Sequence, residues 1–253
     1  TLINQNSGLD ILAFLIIIFI ILQKIFGEYF ILILLAIRPT LDYWRDYNLF
    51  SFRSFDLNIN AALSIFLLIW SVYFFIKNRH YFSDIPTKFI WLVFIAWCSI
   101  TAIYSYDITS TIRETIKAAN LFGLFGICYI MSIKDKEKFK KDFLKALIAA
   151  SAIPLLAGVY QFFTKTGLDI DGIANRIYGT FAHPNILATH ALLLLMVLAN
   201  ESWLAKNRKW LGVFLTTVIA LTYTRIAWIG VMVLFIIVGL VYSFYKELVF
   251  ISF

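Results

Sequence analysis

Long apolar runs follow one another along this chain, and no other feature constrains its fold as much. DILAFLIIIFIIL (Asp10 to Leu22) and INAALSIFLLIWSVYFFI (Ile59 to Ile76) are two of them. A helix needs about 20 residues to cross a hydrocarbon core about 30 Å thick. In hydrocarbon every backbone N–H and C=O has to be satisfied within the structure, which leaves helices or closed barrels. These runs lack the short alternating pattern of barrel strands. The expectation is an all-α, polytopic transmembrane helix bundle. Composition agrees: 61% of the 253 residues are hydrophobic and 15% charged, with mean hydropathy +0.84, against about 45–50% and about 25% in soluble domains.

The segmentation predicts about nine spans, at roughly 9–23, 25–41, 59–76, 88–105, 114–132, 143–163, 184–200, 210–224 and 226–244, read as a single transmembrane domain over residues 1–253. The chain starts on Thr rather than Met and stops at VFISF directly after an apolar segment, so a fragment missing both ends is expected. No charged region followed by an A-x-A-like site marks a removable signal peptide.

Charge sets the sidedness. The formal net charge of +7 is concentrated in short loops: Lys77 to Lys88 carries three Lys or Arg, Ile133 to Lys145 six Lys, and Glu201 to Trp210 carries Lys206, Arg208 and Lys209. Those loops fall on one face, cytoplasmic by the positive-inside rule. Such a distribution is a topology signal, not a nucleic-acid surface, although the loop from Lys134 to Lys145 also suits anionic lipid headgroups. The opposite loops, RPTLDYWRDYNLFSFRSFD, YDITSTIRE and TKTGLDIDGIANRIYGTFAHPN, balance their basic residues with acidic ones and read as outer. Tyr43, Trp44, Tyr81 and Trp210 fit interfacial aromatic belts. Cys98 and Cys128 lie inside predicted spans without metal-ligand spacing and read as small apolar side chains.

Two polar stretches interrupt the oil. RIYGTFAHPN, Arg176 to Asn185, leads into the span that Pro184 opens, where a missing N–H costs nothing. A helix start and the forked donors of Arg176 suit an anion; equally, Arg176 can pair with Asp169 or Asp171 and organise the loop. In LTYTRIAWIG, Leu221 to Gly230, Arg225 is the lone formal charge between Trp210 and Phe244. It marks either the outer turn of a tight hairpin or a broken helix, and an ionisable group at such depth is a functional candidate, with Thr222 and Thr224 beside it. Snorkelling to the interface is the bland alternative. His190 reads as a helix-packing hydrogen-bond partner and His80 as solvated; Arg38 and Arg113 border outer loops, as interfacial anchors or as an extension of a basic rim around a cavity. No Walker loop, GxSxG, HExxH or paired hydrolytic carboxylates occur.

The order of these two stretches resembles the O-antigen ligase and polysaccharide polymerase family of bacterial inner-membrane proteins. The family pattern is Arg-x-x-Gly-Thr-Phe-x-His-Pro-Asn, then Leu-Thr-x-Ser-Arg-Gly-Ala-Trp. Arg176, Gly179, Thr180, Phe181, His183, Pro184 and Asn185 match the first; Arg225, Ala227 and Trp228 match the second, with Thr224 for its serine and Ile226 for its glycine.

The resemblance implies a multi-pass bacterial inner-membrane glycosyltransferase, needing neither cofactor nor metal. It would move a glycan from undecaprenyl diphosphate to a lipid A core or a growing polysaccharide at the outer face. Its partners would be that donor, a lipid or polysaccharide acceptor, and membrane lipids, not nucleic acid. Arg176 and Arg225 would stabilise the leaving diphosphate as catalytic residues, with Thr180, His183, Asn185 and Thr224 binding substrate. The family's general base is a histidine in a large outer loop that this chain lacks, so the fragment is expected to be inactive alone. The competing expectations are a protein O-oligosaccharyltransferase of the same family, and a transporter or flippase for a lipid-linked or anionic solute. The latter calls for an internal repeat that the sequence does not show.

Overall fold

The computed structural model describes residues 2–44, 48–52, 55–170, 173–200 and 208–251. The described chain is almost entirely helical. In chain order it forms α1 (Leu2–Phe26), α2 (Phe30–Leu41), β1 (Asn48–Phe52), β2 (Phe55–Asn58), α3 (Ile59–Lys77), the short α4 (Arg79–Phe82), α5 (Lys88–Thr101), α6 (Ile108–Lys134) and α7 (Lys136–Thr164). Then come β3 (Leu168–Ile170), β4 (Ile173–Arg176), α8 (Pro184–Asn200), α9 (Arg208–Leu221) and α10 (Arg225–Ile251).

Among the described residues, four helical stretches are long and apolar enough to cross a membrane: Ile16–Trp44, Ile59–Lys77, Ile108–Lys134 and Lys136–Thr164. Lys88–Thr101, Pro184–Ala199, Lys209–Leu221 and Arg225–Leu240 are shorter apolar helices. Each of the nine anticipated segments is helical, yet helix length alone supports fewer full spans than nine. α9 illustrates the reason: its 14 residues rise only about 21 Å at 1.5 Å each. Large apolar side chains face outward, Phe89 and Ile226 among them at 74% and 81% exposure, as suits a chain whose solvent is lipid. This is a membrane protein.

The chain divides into two compact units, Thr1–Ile33 with Trp44–Phe143, and Leu34–Tyr43 with Leu144–Phe253. In the first, Phe19, Phe30, Phe66, Trp70 and Phe74 form a chain of ring contacts, with Phe30 and Trp70 centroids 5.9 Å apart near edge-on. α3 approaches α6 closely because Gly123 offers no side chain; a Cβ there would lie 2.6 Å from Ser71 Oγ. The turn between α1 and α2 meets the carboxyl ends of α3 and α6. Lys134 Nζ lies 2.7 and 2.9 Å from the Glu28 carboxylate oxygens and 2.8 Å from Asn78 Oδ1, with Lys77 Nζ 3.9 Å from Glu28. Two loops assigned to one face by their lysines thus share one carboxylate.

In the second unit, Leu187, Ala191 and Leu194 of α8, Leu215 and Ile219 of α9, and Val231 of α10 form a continuous apolar core. The residues between α9 and α10 are Thr222, Tyr223 and Thr224, with Tyr223 left-handed at φ 52°. Arg225 is therefore the first residue of α10, after a tight turn. Two of the stretches read as loops carry antiparallel hairpins: β1 with β2, and β3 with β4, the latter pairing Leu168 with Arg176 and Ile170 with Ile173.

Candidate functional site

The site grows from the loop between β4 and α8, which α7 holds from below. Gln161 is buried, and its Oε1 accepts from the Tyr178 and Gly179 amides at 2.9 and 2.8 Å while its Nε2 donates to the Gly179 carbonyl at 2.8 Å. Gly179 is left-handed at φ 63°, and a Cβ there would stand 2.4 Å from the Pro154 carbonyl oxygen, so only glycine fits. Ile177 and Phe181 on either side sink into the core. The Thr180 hydroxyl donates to the Pro39 carbonyl at 2.8 Å and is buried, which commits it to the fold.

Arg176 closes the carboxyl end of α9. The Ile177 amide donates to the Leu221 carbonyl at 3.3 Å, and Arg176 Nε donates to the Thr222 carbonyl at 2.9 Å. A cation there meets the negative end of the helix dipole and satisfies a terminal carbonyl. The side chain is 5% exposed. Asp169, one of the proposed ion-pair partners, accepts instead from the Asn175 amide at 2.8 Å; Asp171 lies outside the described residues. Among the described residues no carboxylate pairs with Arg176. Burying a charge without a counter-ion costs several kcal/mol, a cost that the Thr222 carbonyl offsets in part and an anion would offset further.

Arg176 Nη2 donates to Asn185 Oδ1 at 3.3 Å, and Thr224 Oγ1 donates to the same oxygen at 3.1 Å. Asn185 lies in the first turn of α8 and Thr224 immediately precedes α10, so one amide oxygen joins the amino ends of two helices to a buried guanidinium. The positive ends of both dipoles converge there. His183 caps α8: its Nδ1 accepts from the Asn185 amide at 3.2 Å and its carbonyl from the Ile186 amide at 3.0 Å. Arg225 is exposed, and its guanidinium makes no hydrogen bond among the described residues.

The structure therefore gathers Arg176, His183, Asn185 and Thr224 into one network, puts Arg225 next in the chain to Thr224, and turns Thr180 away toward Pro39. Gln161 escaped the sequence reading; its only trace was a single amide in an otherwise apolar stretch, GVYQFF. His190 donates or accepts at Ser151 Oγ, 2.8 Å from its Nε2, as a helix-packing contact between α7 and α8. Among the described residues no group of three or more His, Cys, Asp or Glu side chains is placed to hold a metal. No family model matches this chain, and no curated protein and no solved structure is similar to it.

Proposed function

We propose that this chain is the core of a bacterial inner-membrane glycosyltransferase of about nine spans. It transfers a glycan from undecaprenyl diphosphate to a lipid or polysaccharide acceptor at the outer face. The observation that carries the reading is the buried Arg176, without a carboxylate partner among the described residues, linked through Asn185 to the starts of α8 and α10 and so to exposed Arg225. Such an arrangement favours a multiply charged oxyanion.

The chemistry follows from that preference. The bond between sugar C1 and the diphosphate oxygen breaks, its electron pair stays on the diphosphate, and an acceptor hydroxyl forms the new bond to C1 as its proton passes to a base. Charge on the leaving oxygen grows toward the transition state, so fixed donors lower the barrier more than they tighten ground-state binding. Arg225 is the exposed cation that meets the diphosphate; Arg176, almost fully enclosed, positions Asn185 and sets the local potential.

The test is Arg225→Ala in the intact protein, assayed for glycan transfer from the undecaprenyl diphosphate donor. The expected loss is about 100-fold or more, with insertion and expression unchanged. Full retained activity would end the assignment.

A further inference from the structure

The polar network occupies one end of α9, and a cavity that plays no part in it begins at the other. A space of about 730 Å³ lies between the last turns of α8, one face of α9 and the middle of α10, with Leu198, Val213, Leu234 and Phe235 among its walls. Apart from Lys209, Thr216 and Thr217, no lining residue has a polar side chain. Thr217 Oγ1 donates to the Val213 carbonyl at 2.9 Å, so that hydroxyl is spent within α9. Val213, Phe235 and Val238 are also exposed, which makes the cavity a groove open along its side.

Its shape and charge specify an occupant. α9 turns Lys209, Gly212, Val213, Thr216 and Ala220 to the groove, the spacing of one helix face, while Leu215, Val218 and Ile219 face the core. Gly212 keeps the groove open: a Cβ there would meet only Leu198 Cδ2, 3.9 Å away. From Lys209 to Ala220 the helix rises about 16 Å, close to half of a hydrocarbon core about 30 Å thick, so the groove is one leaflet long. All its charge is at one end. Lys209 is exposed, makes no ion pair among the described residues, and lies in the first turn of α9, at the positive end of the helix dipole. Around it, Glu201 to Trp210 holds three cations and one carboxylate.

We propose that this groove binds one anionic phospholipid, with an acyl chain laid along α9 between α8 and α10 and the headgroup phosphate on Lys209. A polar solute would find no partners along the walls, and a lipid without net charge would gain less from the basic end. Thr222, at the polar network, is about 20 Å from Lys209 along the helix, so the two sites are separate and this one does not depend on glycan transfer.

Native mass spectrometry of the purified protein, titrated with phosphatidylglycerol and with phosphatidylcholine of the same chains, tests the assignment. One phosphatidylglycerol should be retained at least about fivefold more tightly than phosphatidylcholine, and Lys209→Gln should erase that preference. Gly212→Leu fills the groove while removing a glycine from a helix interior, so thermal stability should hold or rise as the tight phosphatidylglycerol binding is lost. Val213→Phe, at an exposed position, obstructs the same groove independently. Equal retention of the two lipids, or undiminished phosphatidylglycerol binding in Gly212→Leu or Val213→Phe, would overturn the proposal. So would a dimer of the unsubstituted protein that either groove variant dissociates, since the occupant would then be a second copy of the chain.

Discussion

Gln161 sits in α7 beside Phe162 and Phe163, and its one amide closes three hydrogen bonds around Tyr178 and Gly179. Truncation to alanine strands two backbone amides and a carbonyl away from water. Thermal unfolding in detergent should show Gln161→Ala losing about 2–4 kcal/mol, and Gly179→Ala should be destabilised as well, because its methyl would meet the Pro154 carbonyl. The charged members of the site were legible in the sequence: an arginine or histidine stands out in an oily chain because burying it demands an explanation. Gln161 was not, since a neutral amide carries no such penalty signal and its partners lie in a different element. Thr180 shows the converse, a motif residue whose hydroxyl is spent on the Pro39 carbonyl.

Hydropathy located the helices well because each has to bury a continuous apolar surface or turn it toward lipid, and all nine segments are helical. The hairpins went unseen: strands of three to five residues are too short for alternation to rise above loop composition. Lysine counting placed the 77–88 and 133–145 loops on one face, and Glu28 supplies a physical link between their edges. Glu28→Gln should remove that charge pairing while keeping most of the packing. Because both Lys134 and Glu28 are partly solvated, the expected cost is no more than about 1 kcal/mol, read as a small drop in melting temperature that high salt reproduces in the unsubstituted protein.

Across the whole molecule, the helices that carry the site differ in reach. α7 runs for 29 residues and α9 for 14, so α9 falls roughly 9 Å short of a hydrocarbon core about 30 Å thick. With Lys209 at the inner surface, as the positive-inside reading expects, Thr222 and Arg225 would lie beneath the outer headgroup plane, and tilt would deepen them. In that orientation the surrounding lipid would dimple toward these residues, and membrane thickness would become a control variable for the proposed transfer. Reconstituted into phosphatidylcholines of increasing chain length, the protein should carry out the proposed glycan transfer fastest in the thinner bilayers; a rate indifferent to chain length would show that water reaches Arg225 without help from the membrane. A pyrophosphate bound at that depth would not have to rise into the aqueous phase to react: the bilayer would sag to meet it.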